Sequence, residues 1–285
     1  MSEHIAVIGA GTMGIGVSHA FAAAGHRVTM VDVSKPALDR AAAEIRRNVR
    51  TYPLLGARPE ARPGATLESV TLTTDLERVA DADFVVENVT EKWSVKEPLY
   101  RRLDTLCRTE CVFGVNTSAI PITRVAALTD RPDRVVGTHF MNPVPLKPLV
   151  EVIRGFHTSD RTIAFTRDLI GRMGKASAVV EDSPGFVTNR VMMLMVNEAI
   201  CLLDERVAPA EEIDRLFVQC FGHQMGPLAT ADLIGLDTVL YSLDVLLADF
   251  NDPKYRPSML LRRLVDAGHL GRKSGKGFFA YDLDA

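Results

Sequence analysis

The sequence predicts an α/β protein: a mostly parallel sheet domain followed by an all-α helical domain. The first half alternates short β-rich runs with helical stretches, an order typical of a parallel sheet covered by helices. Beyond Pro184 and Gly185 the pattern is helical, with no convincing strand until the very end. We therefore expect an N-terminal domain over residues 1–184 and a C-terminal domain over residues 185–285.

Apolar runs and their flanking residues predict the first elements. Ile5–Ile8 is predicted as a buried strand, and Met13–Ala24 as a helix closed by Gly25. Val28–Val31 is the second strand, and Ser34 begins the next helix. The later strands are predicted at Val70–Leu72, Phe84–Val86, Val112–Val115, Val135–Val136, Val150–Ile153 and Ala178–Val180.

Two further segments have distinct patterns. The run Phe186–Leu203 is long and apolar, which predicts a helix buried in a core or in a subunit interface. The stretch Tyr52–Ala65 is rich in proline and glycine, and we expect a loop there that interrupts a helical hairpin.

Composition excludes several classes of function. Of the 285 residues, 47% are hydrophobic and 24% charged, as in globular proteins, and the net charge of −3 gives no basic field for nucleic acid. The N-terminus does not resemble a signal peptide, and no apolar run approaches the roughly 18 residues of a spanning helix. The cysteines lack zinc-ligand spacing, so we expect reduced, buried thiols, a cytoplasmic protein and no metal site. They are Cys107, Cys111, Cys201 and Cys220.

A glycine-rich turn follows the first strand and has the pattern G-x-G-x-x-G. It consists of Gly9, Ala10, Gly11, Thr12, Met13 and Gly14. The first glycine permits a tight turn, the second lets the backbone approach a pyrophosphate, and the third lets helix and strand pack closely. Because a strand precedes the turn and a helix follows it, we expect a Rossmann-like dinucleotide site. The alternative is a tight turn without a ligand.

Asp32 closes the second strand, about 20 residues after the glycines, where an acidic residue can accept the ribose hydroxyls. A carboxylate there would repel a 2′-phosphate, which favours NAD over NADP.

Four polar residues form a candidate catalytic set. Ser118 and His139 each follow a predicted strand, and ligands of open parallel sheets bind beyond such strand ends. Histidine is the usual base near neutral pH, and Glu151, in an otherwise apolar strand, could orient its far nitrogen. Ser118 and Asn189 could hold substrate oxygens by hydrogen bonds.

Each of these residues also has a purely structural interpretation. His139 alone could be a satisfied structural histidine, and Glu151 could pair with Arg154. Ser118 could cap a helix from Ile120 onward, and Asn189 could be a residue at a helix start. Spacing alone leaves both interpretations open.

Nearly the whole chain resembles the 3-hydroxyacyl-CoA dehydrogenase family, especially the short bacterial 3-hydroxybutyryl-CoA dehydrogenases. Many motifs occur in family order: GAGTMG, NTS, GTHFMNPVP, LVEVIRG, DSPGFVTNR, MGPL before DLIGLD, YRPSMLLRRLVDAG and LGRKSGKGF. The resemblance implies a Rossmann-like domain, a helical domain through which the protein forms a homodimer, and NAD as cofactor. It implies hydride transfer between NAD and the 3-hydroxyl of a short acyl thioester.

The resemblance also implies roles for individual residues. It makes His139 and Glu151 catalytic, Ser118 and Asn189 substrate contacts, and Gly9–Gly14, Asp32, Glu91, Lys96, Ser118, Asn142 and Lys273 cofactor contacts. For three of these the role follows from the resemblance alone. Without it, Glu91 and Lys96 would be an exposed helical charge pair, and Lys273 one charge in a basic loop.

The chain departs from the family around the substrate. The family binds CoA partly with lysines in a helical hairpin, whereas the stretch Arg46–Gly56 contains none. The other departures are Ala119, Met141, Leu146–Pro148, Ala229 and Ala231. We therefore consider two carriers for the acyl group, CoA and an acyl carrier protein. An acyl carrier protein is considered because the sequence resembles the branch associated with polyketide extender-unit pathways. That branch oxidises a carrier-bound glyceryl group.

An acyl carrier protein is acidic, so a basic face could bind it. The candidate residues are Arg46, Arg47, Arg50, Arg58 and Arg62. Such runs are more often solvated charged surfaces.

Two other classes of function remain open. A dehydrogenase of a free hydroxy acid would need a cationic clamp for the carboxylate, for which Arg190 and Lys96 are candidates. A non-catalytic protein that binds NAD for a structural or sensing role is the other alternative.

Overall fold

The computed structural model describes residues 2–55 and 63–282 and divides into two compact units, Met1–Asp182 and Ser183–Ala285. The predicted boundary after residue 184 falls close to this division. None of the helices in the described part of the chain is long and apolar enough to cross a membrane.

The first unit contains a sheet of eight strands. In chain order its strands and α-helices are β1 (His4–Ile8), α1 (Thr12–Ala23), β2 (Arg27–Val31), α2 (Lys35–Thr51), α3 (Pro63–Glu68), β3 (Val70–Thr73), β4 (Phe84–Glu87), α4 (Trp93–Leu106), β5 (Val112–Val115), α5 (Ile122–Ala126), β6 (Val135–His139), β7 (Leu149–Arg154), α6 (Asp160–Arg172) and β8 (Ala176–Glu181).

The strand order is β3-β2-β1-β4-β5-β6-β7-β8, and every neighbouring pair is parallel except β6 and β7. The mostly parallel sheet predicted from the sequence is thus confirmed. Because β2 and β4 flank β1 on opposite sides, the strand order reverses there. A crevice at such a reversal, outside the carboxyl ends of the strands, is where open α/β sheets bind ligands.

Apolar strands covered by helices form the core of this unit. Ile5, Ala6 and Val7 in β1 are fully buried. The cluster that contains Ile5 and Val7 also includes Phe21 of α1 and Leu169 of α6, while α2 packs with Met30 of β2 in a second cluster. Continuous apolar strands of this kind are typical of a parallel sheet buried on both faces.

The antiparallel pair β6–β7 determines which side chains face each other. Its register places Gly137 opposite Ile153 and His139 opposite Glu151. Residues directly opposite one another in such a pair project from the same face of the sheet. A Cβ at Gly137 would lie 2.7 Å from the Cβ of Ile153 and 2.8 Å from Cδ1 of Ile122, so the glycine permits this close packing.

The loop predicted over Tyr52–Ala65 is wrong at both of its ends. Tyr52–Leu55 forms a 3₁₀ turn directly after α2, and Pro63 is the first residue of α3. Proline is tolerated in the first turn of a helix because the N–H it lacks would have no partner there. Residues 56–62 lie outside the described part of the chain.

The cysteine prediction is partly wrong. Cys107 and Cys111 are buried, but Cys201 is only half-buried and Cys220 is exposed. All four are free thiols, so no disulfide joins them.

The second unit is helical, as predicted. Its helices are α7 (Thr188–Asp204), α8 (Ala210–Phe221), α9 (Pro227–Ile234), α10 (Leu236–Phe250) and α11 (Met259–Asp266). Phe186 precedes α7 with a left-handed backbone (φ 49°), so this helix begins two residues later than expected. One side of α7 packs in the core of the unit, whereas Val191 on the same helix is 63% exposed.

Candidate active site

The pair His139 and Glu151 lies at the carboxyl end of β6. The imidazole Nδ1 lies 2.9 Å from Oε2 of Glu151, and both side chains are largely buried. An ionised carboxylate can only accept a hydrogen bond, so Nδ1 donates and Nε2 keeps its lone pair. Arg154, the alternative partner of Glu151, instead pairs with Asp160 and Glu181.

Ser118 lies on the other side of the imidazole. Its Oγ is 3.1 Å from Nε2 of His139, and the hydroxyl can donate to that nitrogen. The turn after β5 is fixed by Oγ1 of Thr117, which accepts the N–H groups of Ala119 and Ile120 at 3.3 and 2.9 Å. The alternative in which Ser118 caps a helix is wrong, because α5 begins at Ile122.

The glycine-rich turn has the shape that a dinucleotide needs. Gly9 has φ +101°, and a Cβ there would lie 2.7 Å from the carbonyl oxygen of Asn88. A Cβ at Gly14 would overlap the carbonyl oxygen of Gly9. A Cβ at Gly11 would meet no described atom within 4 Å, so the open space beside this backbone is what a pyrophosphate would fill. Gly11 also caps α1, whose N-terminus favours anions.

Thr12 and Met13 form the first turn of α1, where Met13 packs against the main core cluster. Ala10 is buried, and its N–H binds Asp32.

Asp32 directly follows β2, and its carboxylate connects the glycine-rich turn to Ser34 by hydrogen bonds. Its Oδ2 accepts the N–H of Ala10 at 2.8 Å, and its Oδ1 accepts the N–H of Ser34 at 2.8 Å. The carboxylate is therefore held beside the glycine-rich turn with lone pairs left over, as acceptance of ribose hydroxyls requires.

Behind the turns after β4 and β5 lies a buried charged cluster, which consists of Glu87, Lys96 and Tyr100. Nζ of Lys96 lies 2.9 and 2.7 Å from the two carboxylate oxygens of Glu87, and Oη of Tyr100 donates to Oε2 at 3.1 Å. Burial raises the pKa of Glu87, and burial followed by the neighbouring Glu87 carboxylate raises that of Tyr100.

Lys96 also lies 3.3 Å from Oε2 of Glu91. The interpretation of Glu91 and Lys96 as an exposed charge pair is wrong, because Lys96 is fully buried. Sequence reasoning missed Glu87. An acidic residue that ends an apolar strand was the available signal, the same signal that identified Glu151.

Two asparagines connect three strand ends and were also missed. Nδ2 of Asn116 donates to Oδ1 of Asn88 at 2.6 Å, and Oδ1 of Asn116 accepts the N–H of Phe140 at 3.2 Å. These bonds join the ends of β4, β5 and β6 next to His139. The NTS motif drew attention to this stretch, but the bonds depend on which strands become neighbours.

The loop after β6 carries the exposed Asn142 and is anchored by Lys175. Nζ of Lys175 donates to the carbonyl oxygens of Val144 and Lys147, both at 2.7 Å. Burial lowers the pKa of this lysine. A Cβ at Gly16 of α1 would lie 3.1 Å from Val144, so the loop packs closely on the helix that follows the glycine-rich turn.

Asn189 and Lys273 belong to the second unit. Asn189 is the second residue of α7 and is half-buried. Nζ of Lys273 forms an ion pair with Asp237 at the start of α10, 2.7 Å from Oδ2. Arg190 is occupied within this unit, because its Nε donates to Oη of Tyr255 at 2.9 Å and its guanidinium stacks on Phe250.

Across residues 2–55 and 63–282, no group of three or more histidine, cysteine, aspartate or glutamate side chains could hold a metal ion.

Comparisons with known proteins identify the family of the chain. Residues 4–183 match the model of the 3-hydroxyacyl-CoA dehydrogenase NAD-binding domain, and residues 185–281 match that of the C-terminal domain. The chain is 43% identical to a probable 3-hydroxybutyryl-CoA dehydrogenase of Bacillus subtilis over 98% of both chains. It is 44% identical to another such protein of Deinococcus radiodurans over 96% and 99%.

A solved structure is equally similar. The (S)-3-hydroxybutyryl-CoA dehydrogenase of Ralstonia eutropha superimposes with a TM-score of 0.93 at 41% identity, covering 99% of this chain and 100% of that one. Both domains thus match in order along the chain. The protein belongs to the 3-hydroxyacyl-CoA dehydrogenase family, is an NAD-dependent oxidoreductase, and carries the NAD-binding domain at its N-terminus.

Proposed function

We propose that this protein transfers a hydride between NAD and the 3-hydroxyl carbon of a short 3-hydroxyacyl-CoA. The observation that carries the proposal is the imidazole of His139, held between Glu151 and Ser118 in the same unit as the glycine-rich turn. Relatives named 3-hydroxybutyryl-CoA dehydrogenase support the substrate class.

When bound, NAD accepts the hydride, and the residues of this chain handle the proton. Nε2 of His139 takes the proton of the 3-hydroxyl as the carbon becomes a carbonyl. Glu151 accepts the hydrogen bond from Nδ1–H, which keeps the productive tautomer and stabilises the imidazolium. Ser118 holds the substrate oxygen beside Nε2. In the reverse direction the imidazolium returns the proton.

The resemblance to the family supports Gly9–Gly14, Asp32, Ser118, Asn142 and Lys273 as proposed cofactor contacts. Glu91 and Lys96 complete the proposed set. Asn189 is proposed to hold a further substrate oxygen.

We further propose a homodimer located in the cytoplasm. Large apolar side chains exposed on the second unit support an interface there, since association would remove their apolar surface from water. They include Val191 at 63%, Leu216 at 53% and Phe221 at 70% exposure. Four free cysteines favour a reducing compartment.

The alternative of a free hydroxy acid as substrate lacks support in the candidate clamps. Arg190 already binds Tyr255, and the charge of Lys96 is buried against Glu87. A non-catalytic role would leave the buried pair of His139 and Glu151 without a purpose.

The catalytic role of His139 is tested by His139→Gln. Because this removes the general base while leaving the glycine-rich turn intact, kcat is expected to fall about 10²–10⁴-fold with nearly unchanged NADH affinity. The measurement is acetoacetyl-CoA-dependent oxidation of NADH, together with NADH titration. The exposed His157→Gln is the matched control and should retain full activity. Normal turnover of His139→Gln would remove the proposed mechanism.

The role of Asp32 is tested by Asp32→Ala. Loss of the carboxylate removes the acceptor for ribose hydroxyls and the repulsion of a 2′-phosphate, so NAD affinity should fall and the preference over NADP should shrink. Steady-state kinetics with both cofactors measure this ratio, and the exposed Asp39→Ala on α2 serves as control. An unchanged ratio would count against the assignment.

The carrier of the acyl group is tested with the same acetoacetyl group on CoA and on an acyl carrier protein, with glyceryl-carrier and NAD in parallel. We expect turnover on CoA. Turnover on the carrier protein alone would instead favour the carrier-bound substrate and a docking role for Arg46, Arg47 and Arg50, which lie exposed on α2. Arg58 and Arg62 lie outside the described residues.

A further inference from the structure

The buried charged cluster offers a role that the reaction chemistry has not used. Glu87 ends β4, while Lys96 and Tyr100 are four residues apart on α4 and so lie on the same side of it. All three side chains are fully buried. The cluster is connected through Glu91 to the turn after β5, which carries Ser118.

Stability alone gives little reason for this ion pair. Removing two charges from water costs free energy, and apolar residues of the same volume often stabilise a fold as well or better. The buried ion pair of Glu87 and Lys96 can instead serve to hold neighbouring groups in place. Glu87 fixes the start of the next loop, because its Oε1 also accepts the N–H of Val89 at 2.6 Å.

A chain of contacts leads from this pair to Ser118. The ammonium of Lys96, held by Glu87, lies 3.3 Å from Oε2 of Glu91. Glu91 is 28% exposed and accepts a hydrogen bond from Oγ1 of Thr117 through its other oxygen. Thr117 in turn accepts the N–H groups that fix the turn around Ser118.

We propose that Lys96 is a positioning residue: anchored by Glu87, it holds Glu91 against Thr117 and thereby fixes the turn that places Ser118 beside His139. This rests on the proposed function, since the turn matters for turnover only if Ser118 and His139 act on the substrate. This positioning role of Lys96 acts through Glu91 and is separate from the cofactor contact proposed for Lys96 above. Without the cation, the carboxylate of Glu91 loses the charge attraction that orients it toward Thr117.

The test uses Glu87→Gln combined with Lys96→Met in the full-length protein. Lys96→Met alone would leave the fully buried carboxylate of Glu87 without a cation and risk unfolding, whereas the neutral pair preserves volume. The amide oxygen of the glutamine still accepts the N–H of Val89, and its amide nitrogen donates to Oη of Tyr100. The matched control is Lys92→Met, because Lys92 is an exposed lysine immediately before α4, four residues from Lys96. Thermal unfolding checks that each variant is folded.

The first readout needs neither substrate nor cofactor. Hydrogen exchange at the amides of Ala119 and Ile120 should be about ten-fold faster in the neutral-pair variant, since their acceptor loses its fixed orientation. It should be unchanged in Lys92→Met. Unaltered exchange in a folded neutral-pair variant overturns the proposal, even if the protein proves to have a different activity.

The second readout is a cycle with Ser118→Ala. The neutral pair should lower kcat for acetoacetyl-CoA about ten-fold when Ser118 is present and less than about two-fold in the Ser118→Ala background, because the effect passes through Ser118. These kcat values are measured at saturating NADH, so that a loss of the cofactor contact proposed for Lys96 does not enter the comparison. Equal losses in both backgrounds overturn the proposal and leave Lys96 only the cofactor contact proposed above. No turnover by the unaltered protein would refute the proposed function separately.

Discussion

The antiparallel pairing of β6 with β7 is the constraint on which the candidate active site depends. In a fully parallel sheet, a strand end at the ligand crevice would have only other carboxyl ends beside it. Here β7 runs back, so Glu151, near its beginning, lies directly opposite His139, at the end of β6. The sheet thereby supplies a base and its orienting carboxylate from backbone register alone. One residue of slip would turn Glu151 to the other face.

The parallel part of the sheet supplies the cofactor-binding side of the candidate active site. Reversal of strand order at β1 opens the crevice, and Asp32 and the glycine-rich turn bind one another at its edge. Asn116 then joins the ends of β4, β5 and β6 by hydrogen bonds. Buried amide and carboxylate side chains at these strand ends provide hydrogen-bond partners for backbone N–H groups beyond the strands.

Much of this architecture could be predicted from the sequence, because local patterns determine it. Alternating apolar runs indicated the parallel sheet, and the glycine spacing next to Asp32 indicated the dinucleotide site. The pairing of His139 with Glu151 was expected, since a carboxylate in an apolar strand needs a partner. The burial of Lys96 could not be predicted in this way. On α4 it has the pattern of a surface lysine, and only the tertiary position of Glu87 makes it an interior charge. The start of α3 at Pro63 was missed because proline also marks loops.

The β6–β7 pairing gives His139 a proton on Nδ1 and leaves Nε2 free to act as the base. Nitrogen-15 NMR of the labelled histidines measures this directly, with His139→Gln identifying the signal among the seven histidines of the chain. We expect neutral His139 to carry its proton on Nδ1, and we expect Glu151→Gln to weaken this preference. A neutral imidazole protonated on Nε2 in the unaltered protein would contradict it, because that nitrogen could not then accept the hydroxyl proton.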